Sequence, residues 1–450
     1  MGLRFVSTMG GGASVSLSEA LLSGQAPDGG LFVPAEVPRL RQGWEASQGS
    51  FAELAVDFLW PYCEGTFSRG ELADLCASAY DFAVPLEEAG AGRWVLRLDR
   101  GPTGSFKDFA ARFLARAVSM LLARRGETSL VLTATSGDTG SAVGHAFRGV
   151  AGVKVLILFP RAEVSERQRK QMTTLGANVR ALGVDSSFDG CQELVKAAFA
   201  DPSLAPLRLC SANSINIGRL LPQAVYYLFA ARALRQAGVL ARPRFAVPCG
   251  NFGNLAAALL AQRAGFAVRR FVVATNANDE VPRYLSSGAY HPLRPSRPCL
   301  SNAMNVGHPS NWARIMAWYG GHMLMDGRVV RAADLAALRR DLFAVAVDDG
   351  ATMAAMRAAW QGAGVVLEPH GAVAWEGLTR YLAQASAEAA AAPAVVLATA
   401  HPAKFPELVA QATGRLPEAP AWLQQLDAVD DAFAVIAPEA AALHEALWSL

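Results

Sequence analysis

The feature that most constrains this chain's fold is an alternation: short apolar, β-branched runs recur along it with helix-length stretches between them. WVLRL, SLVLTA, VKVLILF, RFAVP, RFVVAT and AVVLAT all have strand length and are dominated by apolar residues. A strand apolar along both faces is buried on both, which is the signature of a parallel sheet covered by helices. The chain is therefore predicted to be α/β, with two α/β domains built on mainly parallel sheets. Its 450 residues, 52% of them apolar, are enough for two or three domains. We expect a mixed, mainly helical N-terminal segment over 1–90 that packs on the larger domain. A smaller α/β domain over 91–230 and a larger one over 231–450 complete the division, with approximate boundaries, since the chain is expected to pass between domains more than once. Ser16 to Glu19 reads as a capping box opening a helix, and PDGGLFVP as a turn into a short strand. The Ala-rich stretch 384–393 reads as an exposed helix end or a linker.

Four of these strands run straight into loops rich in Gly, Ser, Thr or Asn: GPTGSFKD, TSGDTG, CGNFGN and TAHPAKF. In open α/β sheets, ligands bind beyond the carboxyl ends of strands, where turn backbones and helix N-termini converge. The four loops are thus expected to share one crevice.

Composition narrows the choice of ligand. The formal net charge is only +2 and Arg is spread along the chain, so there is no basic footprint for nucleic acid or an anionic membrane. The N-terminus MGLRFVSTMGGG lacks the regions of a signal peptide, and no apolar run reaches the ~20 residues of a membrane span. A cytoplasmic protein acting on a small molecule is the expectation. The six cysteines are scattered without a CxxC pair or zinc spacing, so they are read as reduced, mostly buried thiols, with no metal site expected.

Lysine is scarce, being confined to Lys107, Lys154, Lys170, Lys196 and Lys404. Ser105 and Asp108 stand at capping spacing, which places Lys107 in the first turn of an amphipathic helix. The positive end of that helix disfavours the ammonium form, as a Schiff-base lysine requires; a surface lysine at a helix start fits the local sequence as well. Gly250 to Asn254 (GNFGN) links a strand to a helix, where glycines allow close backbone approach and N–H groups form an anion nest. Such glycines also occur in ordinary turns. Thr135 to Gly140 (TSGDTG) has hydroxyls and N–H groups suited to a carboxylate, or is simply a well-capped helix.

Taken together, PTGSFKDFA, LTATSGDTGSAVGHAF, CSANSINIGR, VPCGNFGN, ATNANDEVPR, LSNAMNVGHPSNW, EPHGAVAW and ATAHPAKF resemble, in order, the motifs of the threonine synthase family. The likeness runs from FVSTMG to about Phe405 and is to the longer bacterial and fungal branch. It implies the fold type II, tryptophan synthase β-like fold of pyridoxal-phosphate (PLP) enzymes, with PLP as cofactor. It also implies that Lys107 is the PLP lysine and catalytic base. Gly250, Asn251, Phe252, Gly253 and Asn254 would cradle the cofactor phosphate, and Thr399 would face the pyridine nitrogen. Ser136, Asp138 and Thr139 would lie against the substrate carboxylate and the cofactor face, while Arg161, Asn216 and Arg219 are candidates for the substrate phosphate. The family reaction converts O-phospho-L-homoserine and water into L-threonine and phosphate, the last step of threonine biosynthesis, in a monomer or homodimer.

Arg100, the TGSF of the lysine loop and Met9 depart from residues common in relatives, which leaves substrate preference open. A phospho-lyase releasing 2-oxobutyrate, a cysteine synthase or dehydratase relative, and a non-catalytic PLP-binding protein are the competing readings. GNFGN and TAHPAKF do not resemble the loops of the second, and the intact lysine loop argues against the third.

Overall fold

The structure is a computed structural model that describes residues 2–386, 391–431 and 433–450. Residues 387–390 of the Ala-rich stretch lie outside the described residues; upstream of them, the helix Pro369–Gln384 ends at Gln384.

At the N-terminus, β1 (Phe5–Ser7) and β2 (Phe32–Pro34) pair antiparallel. The helix Leu17–Ser23 between them starts on the predicted capping box: Glu19 N–H donates to Ser16 Oγ at 3.2 Å and Ser16 N–H to Glu19 Oε2 at 2.7 Å. The chain then makes the helices Phe51–Cys63 and Arg69–Ala79, each opened by its own Ser/Glu capping box. Next come β3 (Leu86–Glu88) and β4 (Arg93–Arg97). The helix Lys107–Arg125 leads to β5 (Ser129–Ala134), and β6 (Val153–Pro160), β7 (Val179–Val184) and β8 (Leu209–Ser211) follow with helices between them. Then come β9 (Arg244–Pro248), β10 (Arg270–Thr275), the short hairpin β11 (His322–Met323) and β12 (Val329–Arg331), β13 (Leu342–Ala346), β14 (Ala394–Ala398) and β15 (Ala434–Ile436).

These strands form two main sheets. The larger has the order β13-β10-β9-β14-β4-β3, parallel except for the edge strand β3, and the smaller, β15-β7-β6-β5-β8, is parallel throughout. The α/β, mainly parallel expectation therefore stands. The sheets do not, however, divide the chain at residues 91 and 231. β4 lies inside the segment assigned to the smaller domain, yet it pairs with β14 in the larger sheet, with Val95 opposite Val396 and Leu96 opposite Leu397. β15 lies inside the segment assigned to the larger domain, yet it extends the smaller sheet beside β7. Pairings between strands so far apart in the chain leave no local trace for a linear segmentation to read.

The helix Lys107–Arg125 is anchored by an aromatic cluster in the core. Phe109 lies 5.2 Å from Phe51, 5.0 Å from Phe82 and 5.5 Å from Tyr226, ring centroid to centroid. Phe109, Tyr226 and Phe51 are buried and Phe82 partly so, and each fully buried ring contributes about 1.5–3 kcal/mol. That packing fixes the helix start, and with it Lys107.

Candidate active site

The four expected loops meet. One cleft is lined by Lys107, Ser136, Asp138, Thr139, Arg219, Gly250 to Asn254 and Thr399, together with His370 and Gln223. Backbone hydrogen bonds join the lysine loop to the Thr399 loop: Phe106 N–H donates to Thr399 O and His401 N–H to Gly104 O, both at 2.9 Å. Lys107 is the first residue of its helix. The cap differs from the expected one. Asp108 does not cap through Ser105; its buried carboxylate reaches back to accept from Thr103 N–H at 2.9 Å and Thr103 Oγ1 at 2.7 Å. The loop closes on that acid because at Gly101 a Cβ would stand only 2.5 Å from Asp108 Oδ2.

Asp138 opens the helix Asp138–Phe147, and Thr135 Oγ1 accepts from Gly137 N–H at 2.9 Å and Gly140 N–H at 2.8 Å. Asp138 faces two lysines: Lys404 Nζ at 2.6 Å on one oxygen and Lys107 Nζ at 3.3 Å on the other. Gln168 Nε2 adds a bond at 3.1 Å. Burial alone would raise the Asp138 carboxyl, but Lys404 first, then Lys107, hold it below the usual carboxylate range. Lys107 is displaced downward, chiefly by burial, with Asp138 opposing and Lys404 and Arg219 adding to the drop.

Across the cleft, the helix Gly253–Arg263 begins after Phe252, whose φ of 58° is left-handed, and no side chain caps its first turn. A Cβ at Gly250 would stand 2.8 Å from Met304 Cα and 2.9 Å from Ala303 O, so the backbone there has room only for glycine. Asn254 Oδ1 accepts from Tyr227 Oη at 2.6 Å and also from Tyr226, while its buried Nδ2 has no partner. An uncapped helix N-terminus, a side-chain-free approach and an unpartnered buried donor fit a phosphate ester. A buried amine of lowered proton affinity in the same cleft fits an aldehyde. The residues present therefore suit pyridoxal phosphate.

His370 lines the wall with both ring nitrogens occupied: Nε2 accepts from Ala303 N–H at 3.1 Å and Nδ1 donates to Glu368 Oε2 at 2.5 Å. His401 caps its own turn through Nδ1, which accepts from Ala403 N–H at 3.2 Å, and burial, Arg97 and Arg100 pull it down to about 3. Of the candidates for the substrate phosphate, only Arg219 reaches the cleft; its Nε is buried without a partner, and burial lowers its guanidinium to about 10. Arg161 lies outside and pairs with Asp185 at 2.9 Å. Asn216 is fully buried, accepting from Gly218 N–H and donating to Leu21 O and Ser211 O, each at 2.9 Å. Five cysteines are buried and Cys299 partly so, all as free thiols. Among the described residues no cluster of His, Cys, Asp or Glu could hold a metal, and no helix is long and apolar enough to cross a membrane.

The pyridoxal-phosphate dependent enzyme family matches residues 83–400, the threonine synthase N terminus matches 4–80, and the threonine synthase C-terminal family matches 372–447. The fold and cleft are thus those of a pyridoxal-phosphate-dependent enzyme. Threonine synthase of Haemophilus influenzae is 40% identical over 89% of this chain and 89% of its own, and that of Escherichia coli K12 38% over 91% of each. The solved PLP-bound threonine synthase of Brucella melitensis superposes with a TM-score of 0.89 at 36% identity, over 99% of this chain and 98% of that one. The chain belongs to the threonine synthase family.

Lys404 and Gln168 were not singled out by sequence reasoning. The scarcity of lysine was the available signal for Lys404, which stands in the same motif as Thr399; Gln168, in a polar helix, carried none.

Proposed function

We propose that the protein converts O-phospho-L-homoserine and water into L-threonine and phosphate, with Lys107 carrying the cofactor. The observation that carries this reading is the meeting of Lys107, the TSGDTG loop, the GNFGN helix start and Thr399 in one cleft. When bound, PLP supplies an electron sink for negative charge developing at the substrate carbons. Gly250 to Asn254 would hold its phosphate, and Thr399, a neutral hydroxyl, its pyridine nitrogen. Ser136 and Thr139, beside the start of the Asp138 helix, orient the substrate carboxylate. Arg219, which lines the cleft and has a buried, unpartnered Nε, is suited to the substrate phosphate.

The amine of Lys107 takes protons from the substrate's Cα and Cβ as phosphate leaves Cγ; a proton is then returned to Cγ to form the methyl group, water adds at Cβ, and a last proton is returned to Cα. Its lowered proton affinity suits a base working near neutral pH. Both faces of His370 are engaged, so it shapes the wall and leaves proton transfer to Lys107. The enzyme is read as cytoplasmic, and as a monomer or homodimer.

The test is to incubate PLP-loaded protein with O-phospho-L-homoserine and measure phosphate, threonine and 2-oxobutyrate together, beside Lys107→Ala. Equal phosphate and threonine, reduced on the order of 10⁴-fold in the variant, is the expected result. Phosphate matched by 2-oxobutyrate would make the enzyme a lyase, and no phosphate release would overturn the reading.

A further inference from the structure

Two lysines share one carboxylate in the cleft: Lys107 and Lys404 both bond to Asp138, while Arg219 stands close enough to Lys107 to lower its proton affinity and itself faces Asp108. Asp108, turned to Thr103, is displaced upward by burial; His370 has both ring nitrogens engaged, by Ala303 and Glu368; and His401 is pulled down to about 3. Arg97, at the end of β4, and Arg100, in the loop after it, face His401 and add positive charge partly balanced by Asp99. A buried excess of positive charge is costly, and a protein relieves it by releasing a proton from the least well-held cation.

The geometry identifies that cation. Arg219, although lowered by burial to about 10, faces Asp108 and keeps its proton at neutral pH. Lys404 Nζ is fully buried and donates to two oxygens, Asp138 Oδ1 at 2.6 Å and Thr103 O at 3.3 Å. Lys107 Nζ has a single bond, to the second Asp138 oxygen at 3.3 Å. Lys404 is itself fixed by three loops: it stands on TAHPAKF, its carboxylate partner opens the TSGDTG helix, and its carbonyl partner lies in the lysine loop. Thr103 is held in turn by Asp108 and by Gln171 Nε2, which donates to the same carbonyl at 3.0 Å.

We propose that Lys404 is a positioning residue for Lys107: by occupying the nearer oxygen of Asp138 it keeps that carboxylate from pairing fully with Lys107, whose amine is thereby left unprotonated and ready for the cofactor aldehyde. The inference rests on Lys107 as the PLP lysine. It predicts an order of proton loss within the cleft, Lys107 before Lys404, and a dependence of the first on the charge of the second.

The test is competitive acetylation of the full-length chain, freed of PLP with hydroxylamine, by acetic anhydride across a pH series, with peptide mass spectrometry reading Lys107 and Lys404. In the parent, Lys107 is expected to label with the lower midpoint; the reverse order overturns the proposal without any variant. In Lys404→Met and Lys404→Gln the Lys107 midpoint is expected to rise by about one pH unit or more, roughly tenfold less labelling at neutral pH. Lys404→Arg, which keeps the charge, should stay near the parent. In the PLP-loaded enzyme the acid limb of kcat/KM should move upward by the same interval, so that raising the pH restores Lys404→Met, a recovery that a merely structural role would not give. An unmoved midpoint in a folded Met or Gln variant overturns the proposal. Borohydride reduction of the loaded parent, followed by peptide mapping, separates the two claims. Cofactor fixed elsewhere than Lys107 would defeat the functional reading, whereas cofactor on Lys107 with an unmoved midpoint would defeat only the role of Lys404.

Discussion

The helix Glu166–Thr173 has charge clusters on two sides, and they differ in kind. On its inner side, Gln168 is fully buried and bonds to Asp138 and to Asn302, joining the Lys107–Asp138–Lys404 group. On its outer side, Arg167 grips Asp427 at 2.5 Å and Arg169 grips Asp431 at 2.8 Å, holding the segment that leads to β15. The shortest ion pair is nearly the same length in both, 2.6 Å between Lys404 and Asp138 and 2.5 Å between Arg167 and Asp427. Their surroundings are not: the Lys404 and Asp138 side chains are 0% and 2% exposed, the Arg167 and Asp427 side chains 21% and 40%. In water the attraction is screened and the ordered side chains lose entropy, while in the interior an unmatched charge has nowhere to go. Distance alone therefore says little about what either cluster does. One holds a segment of chain; the other sets the protonation of a reactive amine.

That contrast is open to attack at three points. Asp138→Ala strips the inner cluster of the carboxylate to which both lysines bond and is expected to destabilise the fold by about 3–5 kcal/mol, seen as a large drop in urea midpoint. A loss below about 1 kcal/mol would mean that water reaches the lysines and that the two clusters are alike. The second point is His401. Its folded pKa of about 3 lies below the ordinary 6.5, so the unfolded chain takes up the proton first. The stability it contributes is complete above pH 6.5 and is lost as pH falls towards about 3, by at most ~1.4 kcal/mol per pH unit. Thermal melts of His401→Asn across that window should show a flatter acid slope than the parent, and equal slopes would remove His401 from the buried group. The smallest effect is expected outside. Asp427→Ala should cost about 0.2–1 kcal/mol and less at high salt, and a loss comparable to that of Asp138→Ala would erase the distinction.

The same contrast separates what could be read from the sequence from what could not. The α/β class followed from strands apolar on both faces, and the meeting of four loops followed from their position after those strands. Lys107 at a helix start was legible from local spacing, although the acid that organises the loop bonds to Thr103 and not to Ser105. Residues whose surroundings come from distant parts of the chain were not legible. Arg161 follows β6, but the neighbouring β7 brings Asp185 beside it. Asn216 is consumed by backbone groups, including Leu21 O. Lys404 gains its meaning from Asp138 and Thr103, which no nearby spacing connects to it.

The placement of β4 has a consequence for how the molecule comes into being. As the nascent chain leaves the ribosome, Arg93–Arg97 can pair with β3 at once, but its other edge stays unsatisfied until Ala394–Ala398 has been made. The smaller sheet likewise waits for Ala434–Ile436 to cover the edge of β7. Open strand edges are templates for association with other chains. Vectorial synthesis thus leaves the edge that β14 will cover open for most of translation, and the lysine loop after β4 meets the Thr399 loop only near the end.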